Sequence, residues 1–409
     1  MAGHQYPLLR RHRFARWRRP GGRLRQGRAA GGRAAAAGLR SPTVVSRWTR
    51  VSAKLPVFPW DTLAEAKATA AAHPGGLVDL SVGTPVDPTP EIVREALAGA
   101  SDAHGYPTTW GTAALRAAII DYLTVRWQAE GLDDRNVLPV IGTKEIVAWL
   151  PTQMGLGPDD LVVIPATAYP TYDVGARLAG CRLQLCDDPD EIDGRASLIW
   201  INYPANPSGA VASDDLLHRW ITTAREHGAV LASDECYGEF GWDAEPASVV
   251  RPDLCEGSLD NILLVNSLSK RSNMAGYRAG YLAGDAGLIT ELLEVRKHSG
   301  MMVPTPIQAA MVAALGDQDH VEVQRERYGR RRGLLKQALL AAGFRIDHSQ
   351  GSIYLWATRG ENCRTTIDWL AQRGILAAPG DFYGDDEHVR VALTALDERV
   401  EAAAERLLA

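Results

Sequence analysis

Cysteine is scarce and unpaired in this chain. Cys181, Cys186, Cys236, Cys255 and Cys363 are the five in 409 residues, and no Cys-x-x-Cys occurs among them. Neither a zinc site nor a disulfide framework is indicated, and a reducing cytoplasm fits best. The histidines show no metal-ligand spacing, so no metal is expected. Long apolar runs are missing as well. None approaches the roughly 18 residues of a membrane-spanning helix, so no membrane partner is expected. Lysine and acidic residues are absent from residues 1–50, which hold 13 arginines. With those set aside, residues 51–409 carry 31 basic and 49 acidic side chains, a net charge of −18 hidden beneath the overall −5.

Residues 1–50 show no helical or strand period and are rich in Gly, Ala and Arg, the composition of a disordered segment. Three explanations compete: an anion-binding or nucleic-acid-binding arm, a transit peptide, or translation from an upstream start. The third is preferred, because everything that looks folded begins near Val51. No apolar period exists there to build a helix-turn-helix, so no nucleic-acid partner is expected.

From Leu77 onward, short apolar runs alternate with helical patterns, the signature of a mostly parallel α/β sheet. Strands are expected at 137–142, 161–166, 182–187, 197–204, 229–235, 261–267 and 279–284. Several are apolar at consecutive positions, as strands covered on both faces should be. After about residue 300 one long helical stretch leads into a smaller α+β unit that ends in a strand at 388–394 and a terminal helix. The expected division is 1–50 as an extension, 51–85 as an arm and part of the small domain, 86–300 as the large domain, and 301–409 as the small one.

Polar groups fall repeatedly just after the strands: "GTKE" (142–145), "AYPTY" (168–172), "NYPANPSG" (202–209), "DECY" (234–237) and "SLSK" (267–270). In open α/β sheets that edge is where ligands bind. A cofactor with an aldehyde, a phosphate and a ring nitrogen would find its partners among these groups. Lys270 can form a Schiff base with the aldehyde. Arg278, eight residues on, can fork a phosphate. Ser267 and Ser269 add hydroxyls, and the backbone at Thr143 and Lys144 opens a helix toward an anion. Asp234 can pair with a ring nitrogen, Tyr237 and Asn206 can bond a phenolic oxygen, and Tyr169 offers a flat face. Each group also has a plain alternative. Lys270 could be a solvated loop lysine, Asp234 a strand-end cap, Thr143 and Lys144 a mere helix start, and Cys236 a small core residue.

Taken together, "SLSKRSNMAGYRAG", "NPSG", "DECY" and "AYPTY" resemble the fold-type I, class I aminotransferases that use pyridoxal phosphate, over about residues 55–400. The resemblance implies a three-layer α/β/α large domain with a mostly parallel seven-stranded sheet, plus a smaller α+β domain. It implies Lys270 as the Schiff-base lysine, Asp234 at the ring nitrogen, Tyr237 and Asn206 at the ring oxygen, and Tyr169 stacked on the ring. Ser267, Ser269, Arg278 and the Thr143 region would hold the phosphate. Three further positions follow from the same resemblance. Arg390 would fork the substrate α-carboxylate, although Asp385, Asp386 and Glu387 offer it an ion pair instead. Gly83 would let the substrate approach closely. Tyr106 would reach the neighbouring subunit's phosphate in a homodimer with shared sites.

Longer stretches, among them "VLPVIGTKEIVAWLP", "RKHSGMMVP" and "APGDFYG", are similar to actinobacterial succinyldiaminopimelate transaminases. That similarity implies amino transfer between glutamate and N-succinyl-2-amino-6-oxopimelate, a step toward diaminopimelate and lysine. Lys144, Arg271, Arg296 and Lys297 are the candidates to meet the distal acidic group. An aminotransferase for aspartate or another amino acid, a β-lyase on the same scaffold, and an aminotransferase-like transcription regulator stay open as alternatives.

Overall fold

The computed structural model describes residues 51–409; the Arg-rich stretch at 1–50, with its three explanations, lies outside the described residues. A short strand, β1 (Val78–Asp79), comes first in the chain. The seven expected runs then form β2 (Val137–Val140), β3 (Leu161–Ile164), β4 (Arg182–Leu185), β5 (Leu198–Asn202), β6 (Val230–Asp234), β7 (Ile262–Ser267) and β8 (Gly280–Gly284). They make one sheet in the order β2-β8-β7-β6-β5-β3-β4. Every neighbouring pair is parallel except those of β8, which runs against both β2 and β7.

Alternation along the strands divides their side chains between two cores. Ile199, Ile201, Ile262 and Leu264 face helices Ala113–Trp127, Asp214–His227 and Thr305–Gly316. Leu198, Trp200, Leu263 and Val265 face helices Thr143–Gln153, Thr171–Ala179 and Ala286–Ser299. Helices on both faces follow from the crossover connections that parallel strands require, and they explain why the central strands are apolar at nearly every position. The edge strand β4 is the exception, with Leu185 57% exposed.

The C-terminal part builds a four-stranded antiparallel sheet from β9 (Arg345–Asp347), β10 (Tyr354–Thr358), β12 (Ala378–Pro379) and β13 (His388–Ala392), in the order β12-β13-β10-β9. The intervening β11 (Ile375–Leu376) pairs with β1 instead. Leu63, Ala66, Val78 and Leu80 therefore share a core with Leu335, Ile367 and Val389, far along the chain.

The single helical stretch expected after residue 300 is two helices, Thr305–Gly316 and Asp319–Ala341. Asp317 between them is extended, at φ −117° and ψ 119°. Its carboxylate takes the Nδ1 of His320 at 2.5 Å, while Arg271 donates to the freed carbonyl of Ala314 at 2.6 Å. One freed carbonyl of the break is thus taken up, and the His320 N–H at the start of the second helix also reaches the Asp317 carboxylate, at 3.4 Å. The first helix packs in the large sheet's core and the second in the small one. The crossing between cores lies at 317–318, later than the division expected at 300.

Candidate active site

The carboxyl ends of β2, β3, β5, β6 and β7 meet at one edge of the sheet. Because β8 runs the other way, its start lies at that same edge, which brings Arg278 back beside Lys270. A cavity of about 450 Å³ opens there. Twelve of the thirteen expected site residues line it; Tyr106 does not, and is 98% exposed.

Lys270 sits on a four-residue helix after β7 that is capped by Ser267, whose Oγ accepts the Ser269 N–H at 3.0 Å. Its Nζ donates to the carbonyl of Gly83. Burial pulls its pKa down to about 8, and the charges of Arg390 and Arg278 push the same way. An amine so poised is half deprotonated near pH 8, and so offers far more than a free lysine of the form that attacks a carbonyl carbon or takes a proton.

One end of the cavity is built for an anion. Helix Thr143–Gln153 begins there behind Gly142, at φ +85°, and its first N–H groups have no partner within the helix. Arg278, exposed and itself at φ +55°, donates to the Ala275 carbonyl at 2.9 Å and has no carboxylate partner among the described residues. Its guanidinium fills the space that a Cβ on Gly142 would need. Gly142→Ala should therefore displace Arg278 and strain the backbone together. Affinity for a phosphate-bearing ligand is expected to fall roughly tenfold or more, about 1.4 kcal/mol, as read by fluorescence titration of the ligand-free protein.

At the other end Asp234 is buried, with Oδ2 accepting the Tyr172 hydroxyl at 2.9 Å and Oδ1 the Cys236 N–H at 3.2 Å. Burial raises its pKa, and no cation stands against it among the described residues. A protonated ring nitrogen would supply that missing charge. Asn202 ties this carboxylate's strand to the next loop, donating to the Asp234 carbonyl at 2.8 Å and accepting the Asn206 N–H at 2.8 Å. Cys236 is buried, its thiol pushed up by burial, in keeping with a small core residue.

Arg390 is 2% exposed and donates to Asn206 Oδ1 and to the Ser81 carbonyl, both at 2.7 Å. Among the described residues its Nε has no partner, and no carboxylate pairs with it. The acidic neighbours do not meet it: Asp385 turns to the His388 ring at 3.0 Å and to the Glu387 N–H at 2.8 Å. A buried guanidinium without a counterion is an anion site. It lies over the ring of Tyr354, 4.1 Å from the centroid, and the Tyr354 hydroxyl shares a 3.0 Å bond with that of Tyr237.

One expectation gains a detail and another needs correction. The room that Gly83 leaves is taken by the Tyr354 ring, whose Cζ would lie 2.7 Å from an added Cβ, so the glycine admits a side chain of this protein. Of the four distal candidates only Lys144 lines the cavity, its Nζ 5.6 Å over the Phe58 ring. Arg296 is fully buried and held by Glu145 through two bonds of 2.9 Å. Arg271 is spent on Glu239 at 3.0 Å, and Lys297 pairs with Glu294 at 2.5 Å. Tyr172, Asn202, Tyr354 and Trp60 line the cavity without having been singled out. The first two stand in motifs already quoted, where the position after a strand was a usable signal.

Comparison with known proteins accounts for this geometry. The family model "Aminotransferase class I and II" matches residues 76–407. A probable aminotransferase of Mycobacterium tuberculosis is 58% identical over 360 residues, 87% of this chain and 86% of that protein. The 4-dedimethylamino-4-oxo-anhydrotetracycline transaminase OxyQ of Streptomyces rimosus is 54% identical over 357 residues, 87% of this chain and 99% of that one. Among solved structures, a probable N-succinyldiaminopimelate aminotransferase from Thermus thermophilus superposes with a TM-score of 0.77 at 28% identity, covering 86% of this chain and 99% of that one. The chain belongs to the class I and II aminotransferases, a family of enzymes that use pyridoxal phosphate.

Proposed function

We propose that this aminotransferase moves the amino group of L-glutamate to N-succinyl-2-amino-6-oxopimelate, giving N-succinyl-LL-2,6-diaminopimelate and 2-oxoglutarate, and works as a homodimer. The observation that carries the acidic substrate class is the cavity's charge. Arg278, Arg390 and Lys144 line it, none has a carboxylate partner among the described residues, and the surrounding body carries a net −18. Three uncompensated cations match one phosphate, one α-carboxylate and one distal acid.

The residues fit pyridoxal phosphate on two features: the anion cradle made by the helix start at Thr143 and the Arg278 guanidinium, which packs where Gly142 lacks a Cβ, and the buried Asp234 carboxylate with no cation against it among the described residues. When bound, that cofactor supplies an aldehyde carbon that bonds to amines and a protonated ring that draws electrons from the substrate Cα. Arg278, Ser267, Ser269 and the backbone at Thr143 and Lys144 hold its phosphate. Asp234 keeps the ring nitrogen protonated, Tyr237 and Asn206 bond the ring oxygen, and Tyr169 covers the ring face. Arg390 forks the substrate α-carboxylate, a contact that lysine's point charge does not copy. Lys270 would be the amine that bonds to the cofactor's aldehyde and, in its uncharged form, the base that takes and holds the substrate Cα proton. Tyr106, exposed on one subunit, is free to reach the phosphate site of a second.

A polycyclic ketone acceptor is the second reading, favoured by the 54% identity to OxyQ. The two separate in one spectroscopic titration. Glutamate should bleach the visible band of the bound cofactor, and the succinylated oxo-pimelate should restore it; recovery only with a ring ketone would favour the second reading. A pH test bears on Lys270. In the cofactor-free protein its rate of attachment to pyridoxal phosphate should rise with pH and level off above about 8, where the buried amine has lost its proton. A rise continuing toward pH 10 would contradict the assignment.

A further inference from the structure

Residues 81–89 run along one wall of the cavity, which Val82, Gly83 and Thr84 line. This strap carries the carbonyl that receives the Lys270 amine. Its anchor is Asp87, whose side chain is 7% exposed and takes two bonds from Arg331, at 2.7 and 2.8 Å. A third bond, 2.8 Å, comes from Nε2 of Gln324, which is 2% exposed on helix Asp319–Ala341. The other end of the same amide, Oε1, accepts from Asn273 Nδ2 at 2.9 Å. Asn273 stands three residues past Lys270 in the left-handed region, at φ +52°. Its Nδ2 also reaches the Pro88 carbonyl at 3.3 Å, and its own carbonyl accepts the Thr89 hydroxyl at 3.0 Å. One glutamine side chain and two direct bonds thus join the turn after the lysine to the strap across from it.

We propose that Gln324 and Asn273 are positioning residues that lock the 81–89 strap to the Lys270 turn, so that lysine and strap hold one geometry through the reaction. The inference rests on Lys270 being the amine that meets the cofactor. Polar groups sealed in such a network depend on each other, since removing one leaves the rest unsatisfied. The strap also keeps water from Lys270, whose low basicity comes first from burial. The other groups facing the amine are Arg390, Arg278 and Cys236, with Asp234 and Tyr237 in the same cavity. None of these belongs to the strap or the latch.

Asn273→Gly and Gln324→Leu test the latch; glycine suits the left-handed backbone at 273, so that variant removes only the side chain. Both should lower kcat by about tenfold, with KM for the amino donor changed less than about threefold. In the cofactor-free protein, the pH of half-maximal Lys270 reaction with pyridoxal phosphate should move up by about one unit as water reaches the amine. A purely structural role would lower the melting temperature and leave both the kcat-to-KM pattern and this pH unmoved, which overturns the proposal. So does a loss confined to KM. If Gln324→Leu fails to fold, Asn273→Gly decides alone. A borohydride-fixed adduct away from Lys270 would sink the underlying assignment, whereas an adduct at Lys270 with unmoved kinetics and pH sinks only the latch.

Discussion

Lys270→Ala should abolish transamination, with kcat falling by at least about 10⁴-fold, because one side chain both tethers the cofactor and moves the substrate proton. Cofactor binding should weaken without vanishing. The anion cradle at Gly142, Arg278 and Ser267 and the carboxylate of Asp234 remain after the change. Stability should hardly suffer: among the described residues the side chain's one bond is that to the Gly83 carbonyl, and desolvation of a charged amine disappears with it. The check is steady-state kinetics beside equilibrium binding of pyridoxal phosphate. Activity within tenfold of the parent would show that another base does the work. Adding a small primary amine should restore part of the proton-transfer rate in the variant, separating the chemical loss from any misfolding.

Asp234→Asn should lower kcat on the order of 10³-fold while leaving the fold intact, since the amide oxygen can still accept the Cys236 N–H and the amide nitrogen can donate to the Tyr172 hydroxyl, which turns to accept it. What goes is the negative charge. In the parent that charge is buried without a cation and its pKa lies above the usual carboxylate range, so the site is strained until a protonated nitrogen arrives. The variant should for the same reason be as stable as the parent, or more so, before the cofactor binds. A kcat within threefold of the parent would mean that ring protonation does not depend on Asp234. The melting temperature of the cofactor-free protein, measured alongside, shows which way the unpaired charge acts.

The large sheet was legible because its central strands are covered on both faces and so are apolar at consecutive positions, as in "ILLVNS" and "LIWIN". Strand ends then carried the chemistry, and the spacing from Lys270 to Arg278 followed from β8 running against its neighbours. Other features depend on where distant segments meet. Arg271 and Arg296 read in sequence as available cations; only the fold shows Glu239 and Glu145 against them. Tyr354 lies on β10 in the small sheet, and its place beside Tyr237 and Arg390 follows from how the two cores join. The break at Asp317 was hidden because helical periodicity runs on through it, while the side chain that takes the freed Ala314 carbonyl, Arg271, comes from the Lys270 loop.

Borohydride reduction of the holoenzyme followed by peptide mapping tests the central claim most directly. Pyridoxal phosphate should become fixed to Lys270, in the peptide spanning "NSLSKRSN", and saturating glutamate should protect that residue from labelling. A fixed cofactor on any other lysine, or none at all, would contradict it.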